Sequence, residues 1–144
     1  MQAKCVVVAD SNRARIFALQ GREELYELDN LVNPAARQDD RELRTDADGR
    51  FYGMGERSEG HTAEPSVTPK QHEAERFAHT VAQYLNDARN AHRYDSLCLI
   101  AAPQFLGLLR QSLDHNVLEL VDESLPKNLT AASTDEIRHY LVRH

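Results

Sequence analysis

The chain has 144 residues, 41% hydrophobic and 28% charged, with 17 basic against 23 acidic side chains for a formal charge of −6. That length supports one domain with its own core and no need of a disulfide or metal staple, and the ordinary composition excludes collagen-like, low-complexity and wholly disordered classes. The acidic balance argues against a protein that coats DNA by bulk positive charge, so no DNA partner is expected.

The first residues run from Met1 straight into Val6-Val7-Val8, without the basic start, long apolar stretch and cleavage site of a signal peptide. No run nears the ~20 apolar residues that span a bilayer. The chain therefore reads as cytosolic, with no membrane partner. Lys4–Ala9 is short and β-branched, the pattern of a buried strand. Asp10-Ser11-Asn12 is a turn cluster; Arg13–Leu19 alternates as a second strand; Gln20-Gly21-Arg22 turns into a third at Glu24–Val32. Tight turns between them predict an antiparallel meander. Periodicity then fails from Asn33 to Thr68, where Pro34, Gly49, Gly53, Gly55, Gly60 and Pro65 punctuate a long loop with a short helix expected at Asp39–Thr45. A loop that long inside a compact domain is usually either functional or disordered.

Thr68 and Pro69 fit the cap and first position of a helix running to Ala91–Arg93, with Ala74, Phe77, Val81, Leu85 and Ala88 as its apolar stripe. Ser96–Ala101 is the most apolar run and predicts a central strand; Pro103 opens a helix through Leu113, with Phe105, Leu106, Leu109 and Leu113 inward. Val117–Val121 reads as a further strand, and Thr134–Val142 as a closing helix with Ile137 and Leu141 buried. Strands and helices in this order predict an α/β sandwich around a mixed sheet. Cys5 and Cys98 each sit inside a strand-like run, which predicts reduced core thiols rather than a disulfide or zinc pair.

The segments Asp10-Ser11-Asn12-Arg13-Ala14-Arg15-Ile16-Phe17, Asn33-Pro34 with Arg37, Asp46-x-Asp48-Gly49-Arg50, and Ala101-Ala102-Pro103-x-Phe105-Leu106-Gly107-x-Leu109-Arg110 together resemble the bacterial host attachment protein family over essentially the whole chain. That family is similar in turn to the middle domain of archaeal and eukaryotic peptide-chain release factors. The resemblance implies an RNase H-like α/β fold and association with the ribosome or tRNA. It does not carry over peptidyl-tRNA hydrolysis: the Gly-Gly-Gln tripeptide of release factors is missing, and the loop offers Gly53-Met54-Gly55-Glu56 instead. A role in attachment is then expected to be indirect.

Within the loop, carboxylates outnumber the five arginines, so any RNA contact must depend on individual side chains. Asp48-Gly49 is a turn that presents Arg50 outward, and Arg50 is the best binding candidate. Arg37 and Arg44 serve either RNA or an Asp–Arg network that ties the loop down. Gln104 opens the helix after the most buried strand, where free amide groups receive anions; Gly107 would allow that helix to approach the sheet. Asp10 stands just past the first strand, where RNase H-like nucleases keep a metal-binding aspartate, and Asp95 and Asp122 flank later strands. Those three are the weak catalytic candidates of a metal-assisted hydrolase or nuclease, set against the commoner reading of strand-end aspartates as turn formers. His72 and His79 stand seven apart, not four, and belong to a polar helix face rather than a zinc site. There is no P-loop, G-x-G-x-x-G or G-x-S-x-G motif, so no cofactor is expected and no catalytic motif is complete. A third possible class is a protein-interaction module that works through the loop and the acidic surface.

Overall fold

The computed structural model describes residues 3–21, 24–35 and 69–143. The expected helix at 39–45, the Thr68 cap and the loop residues Arg37, Arg44, Asp48, Gly49 and Arg50 lie outside them. In chain order the elements are β1 (Lys4–Ala9), β2 (Arg13–Gln20), β3 (Glu24–Val32), α1 (Pro69–Asn90), β4 (Ser96–Ala101), α2 (Pro103–Ser112), α3 (His115–Leu118), β5 (Val121–Leu125) and α4 (Thr134–Arg143).

The strands form one sheet in the order β3-β2-β1-β4-β5. β1 pairs with β2, and β2 with β3, antiparallel; β1 pairs with β4, and β4 with β5, parallel. The sheet is therefore mixed, with β2 alone running against the other four. Gly21 turns β2 into β3 at φ 65°, a conformation that glycine adopts without a Cβ penalty. The third strand carries a bulge: Ile16 pairs with Asp29 and Phe17 with Glu27, leaving Leu28 without a partner on β2.

Alternation along β1 and β4 builds a core on each face of the sheet. On one face Cys5, Val7, Ala9, Leu97, Leu99 and Ala101 meet Phe77, Val81 and Leu85 of α1, Phe105 and Leu109 of α2, and Val117 of α3. On the other, Val6, Val8, Phe17, Cys98 and Ile100 meet Ile137 of α4, with Leu125, Leu129 and Leu141 packed around them. Both faces of β1 and β4 are covered, which explains why their sequences are continuously apolar after Lys4 and Ser96. The two cysteines are free and buried, on opposite faces.

Most elements fall where sequence periodicity places them. The strand expected at 117–121 does not. Val117 lies in the single helical turn α3, the chain turns through Glu119 and Leu120, and the strand begins at Val121. Val117 is fully buried from that turn, so the alternation of the segment is satisfied by two elements instead of one. Gly107 also departs from expectation. It is exposed, and a Cβ there would meet nothing within 4 Å, so it does not serve close approach of α2 to the sheet. His72, Arg76 and His79 are exposed along α1, as a solvated face requires.

The ends of α1 and α4 are set by local chemistry. His92 takes φ 56° just past α1, while its N–H donates to the Arg89 carbonyl (2.9 Å) and the Arg93 N–H to that of Ala88 (3.0 Å). This is a Schellman ending with histidine where glycine is usual. Ser133 and Glu136 form a capping box at the start of α4: each side chain accepts the other's backbone N–H, at 2.8 and 3.1 Å.

Candidate functional site

β1 and β4 lie side by side and end together, Ala9 opposite Ala101. From β1 the chain turns one way, to β2; from β4 it leaves the other way, through α2 toward β5. In open α/β sheets a crevice beyond the carboxyl ends of strands that part in this way is the usual ligand position. Here it is a cleft of about 650 Å³, walled by Asp10, Ser11 and Asn12 after β1, Asn33 and Ala35 after β3, the first turns of α1 and α2, and Asn128. Ala74, Ala102, Phe105 and Leu108 supply apolar surface, and Lys70, Glu73, Glu75 and Gln104 supply polar groups.

The wall is built by hydrogen bonds that local sequence accounts for only in part. One carboxylate oxygen of Asp10 accepts the N–H of Asn12 (2.8 Å) and of Arg13 (3.0 Å), the side-chain turn that the Asp10-Ser11-Asn12 cluster predicts. The other accepts the Asn128 amide (3.1 Å) and the Thr130 hydroxyl (3.1 Å), from the far side of the chain. The side chain of Asn33, itself buried, donates to the Ser11 carbonyl (2.9 Å) and accepts the Ala35 N–H (3.0 Å), joining the end of β3 to the same turn. Arg13 and Arg15 donate to the Thr130 carbonyl, and Arg15 also to that of Ala132 (2.6 Å). The 128–132 segment is thereby fastened across the sheet end.

These contacts separate structural from available polar groups. Asp10, Asn33 and Asn128 are committed to the wall. Lys70 and Gln104 stand on the rim in exposed positions. Ala102 precedes α2 with no side-chain cap and Pro103 at its start, so the first-turn amides of α2 have no capping side chain beside the cleft.

Of the sequence candidates, Asp10 and Gln104 reach the cleft. Asp95 and Asp122 do not. Asp95 precedes β4 and accepts the Ala3 N–H (3.2 Å), and Asp122 pairs with Lys4 (3.1 Å), both at the opposite end of the parallel strands. Six strand residues separate those ends, roughly 20 Å at 3.3 Å per residue. Among the described residues no three His, Cys, Asp or Glu side chains are grouped to hold a metal ion. Asn128 and Thr130 were not legible as site residues, since their partner Asp10 lies 118 and 120 positions away; the Asn-x-Thr turn pattern is the only local trace of them. Lys70 carries no motif at all.

The family model described as "Protein required for attachment to host cells" matches residues 5–141. The chain belongs to this family. Three sequence segments that carry the host-attachment resemblance, at 10–17, at Asn33 and at 101–110, meet at the cleft end of the sheet. No curated protein matches the sequence of this host-attachment domain. Among solved structures its fold is similar to that of an archaeal protein and of an archaeal translation termination factor, each 11% identical over 98% of this chain with a TM-score of 0.48. The domain spans only 36% and 37% of those two chains. Among the described residues no helix is long and apolar enough to cross a membrane.

Proposed function

We propose that this host-attachment domain is a cytosolic RNA-binding module of the translation apparatus, that its ligand is ribosomal or transfer RNA, and that attachment to host cells depends on it indirectly. The observation that carries the reading is that the described residues flanking 36–68 on either side both reach the cleft. Ala35, the last described residue before that segment, and Lys70, just after it, both line the cleft. The segment bearing Arg37, Arg44 and Arg50 therefore leaves from and returns to one concave site. Phosphates there would meet Lys70, Gln104 and the uncapped amides of α2. An RNase H-like classification belongs to the same proposal, and its support is the strand order with only β2 reversed.

Charge limits the strength of such binding. Among the described residues the cleft sets one lysine against Asp10, Glu73 and Glu75, although Asp10 is enclosed by four donors. Binding would therefore involve few phosphates and be easily displaced by salt. No hydrolytic step is part of the proposal, because the structure keeps Asp95 and Asp122 away from Asp10. The test is affinity capture of the tagged protein from its own lysate at low salt, with and without RNase. Ribosomal components should be recovered and lost after RNase; a partner set of proteins that survives RNase would refute the proposal in favour of a protein-interaction module.

A further inference from the structure

Every large apolar side chain that stands exposed among the described residues lies on one strand: Tyr26 (48% exposed), Leu28 (60%) and Val32 (47%), all on β3. Among the described residues β3 is an edge of the sheet, hydrogen-bonded to β2 alone, and no described residue is a ladder partner for its outer row of N–H and C=O groups. Proteins usually guard such edges with charge, proline, a bulge or short length; β3 has nine residues and no proline, and its guards are three carboxylates and the bulge at Leu28. Beside it, Leu31 and Tyr84 line a shallow groove with His79, Thr80 and Gln83 of α1, which continues the apolar surface.

The charge on the strand is of one sign. Glu24, Glu27 and Asp29 occur without any lysine or arginine between 24 and 32. Arg15 of β2 pairs with Glu27 through two bonds of 3.1 and 3.0 Å, which leaves Glu24 and Asp29 without a cationic partner among the described salt bridges. We infer that β3 is a docking edge for an extended segment of a partner protein whose side chains alternate between apolar and basic, added as a sixth strand beside it. A second copy of this chain is the poorer occupant. Antiparallel pairing about Leu28 would set Glu27 of each copy opposite Asp29 of the other, and like charges in that position are destabilising. The bulge at Leu28 favours selectivity: it interrupts the even spacing that unspecific sheet extension needs, and it places an exposed leucine mid-strand as an anchor. This edge is distinct from the cleft, so the inference stands without the RNA reading.

The test is amide hydrogen exchange, read by NMR, on the full chain with a nine-residue peptide of alternating valine and lysine. The control peptide alternates proline and lysine, with equal charge but no ability to form a strand. With the first peptide, exchange at alternate amides of 24–32 should slow at least tenfold, with no such change from the control. The double variant Glu24→Lys/Leu28→Lys alters two exposed side chains, and an unchanged amide spectrum elsewhere would show that it folds; it should lose the effect. No slowing at millimolar peptide, equal slowing with the proline control, or protection retained in the double variant would overturn the inference. So would a concentration-dependent dimer, seen by analytical ultracentrifugation, that protects the same amides without peptide.

Discussion

Replacing Asp10 tests how the cleft wall is held. In Asp10→Ala the N–H groups of Asn12 and Arg13 and the Asn128 amide lose their acceptor, and the Thr130 hydroxyl loses one of its two, keeping Asn128. The first two can turn to water, because Asn12 is exposed and Arg13 half-buried. Thr130 is only 6% exposed, and its single hydroxyl hydrogen is shared between Asp10 and Asn128. Losing bonds to a charged group costs about 1.5–3 kcal/mol where the donor stays dry and less where water replaces the acceptor. The total is about 2–4 kcal/mol. For a chain of this size that lowers the melting temperature by roughly 5–12 °C. Asp10→Asn keeps the turn to Asn12 and Arg13 but sets an amide N–H₂ against that of Asn128, so its cost should be about 1 kcal/mol. Thermal melts and urea titrations measure both. A loss under 0.5 kcal/mol in Asp10→Ala, or equal losses in the two variants, would refute the claim that this carboxylate ties the two segments together. A rise in wild-type melting temperature with Mn²⁺ that Asp10→Asn abolishes would instead reveal a metal site.

Two backbone positions should respond in opposite directions to glycine. His92→Gly relieves the left-handed conformation at the end of α1 and should stabilise by about 1 kcal/mol, whereas Gly107→Ala, in an exposed helix position with open space for the Cβ, should gain about 0.5–1 kcal/mol; destabilisation by either, in thermal melts, would contradict the local geometry. Burial pushes the thiols of Cys5 and Cys98 each up to about 12 from a usual value of 9.0. Between those values the unfolded chain has released protons that the folded chain keeps, so stability should be insensitive to these groups below pH 9 and fall above it, by up to about 1.4 kcal/mol per pH unit for each thiol. Urea titrations from pH 8 to 10 should show the fall, and Cys5→Ala/Cys98→Ala should flatten it. Ser133→Ala removes the capping box of α4 and should cost about 1 kcal/mol in the same assay.

The fold was legible wherever one element satisfies one pattern. Cys5–Ala9 and Leu97–Ala101 are apolar throughout because helices cover both sides, and Phe77, Val81 and Leu85 recur at helical spacing because α1 rests on one face. Legibility failed where the burden is divided or remote. Val117 is buried by a single helical turn, while the strand that follows, Val121–Leu125, lies at a sheet edge and carries Asp122, Glu123 and Ser124, so its own pattern is weak. The same limit hid much of the cleft. The Asp10 turn is written in three adjacent residues, but Asn128 and Thr130 join it only after the sheet has brought distant segments together. Likewise Glu24–Val32 reads as a strand from its sequence, yet nothing in it says that it lies at an edge with Tyr26, Leu28 and Val32 in water.

The proposal of RNA binding at the cleft is tested most directly by fluorescence anisotropy with labelled transfer RNA and labelled ribosomal RNA fragments, titrated with the full chain at salt concentrations from 50 to 200 mM. With three or four phosphates contacted, the logarithm of the association constant should fall against that of salt with a slope of about −2 to −3, and Lys70→Glu should weaken binding several-fold at the lowest salt. Absence of binding at 50 mM salt for both RNAs, or binding that neither salt nor Lys70→Glu alters, would contradict it.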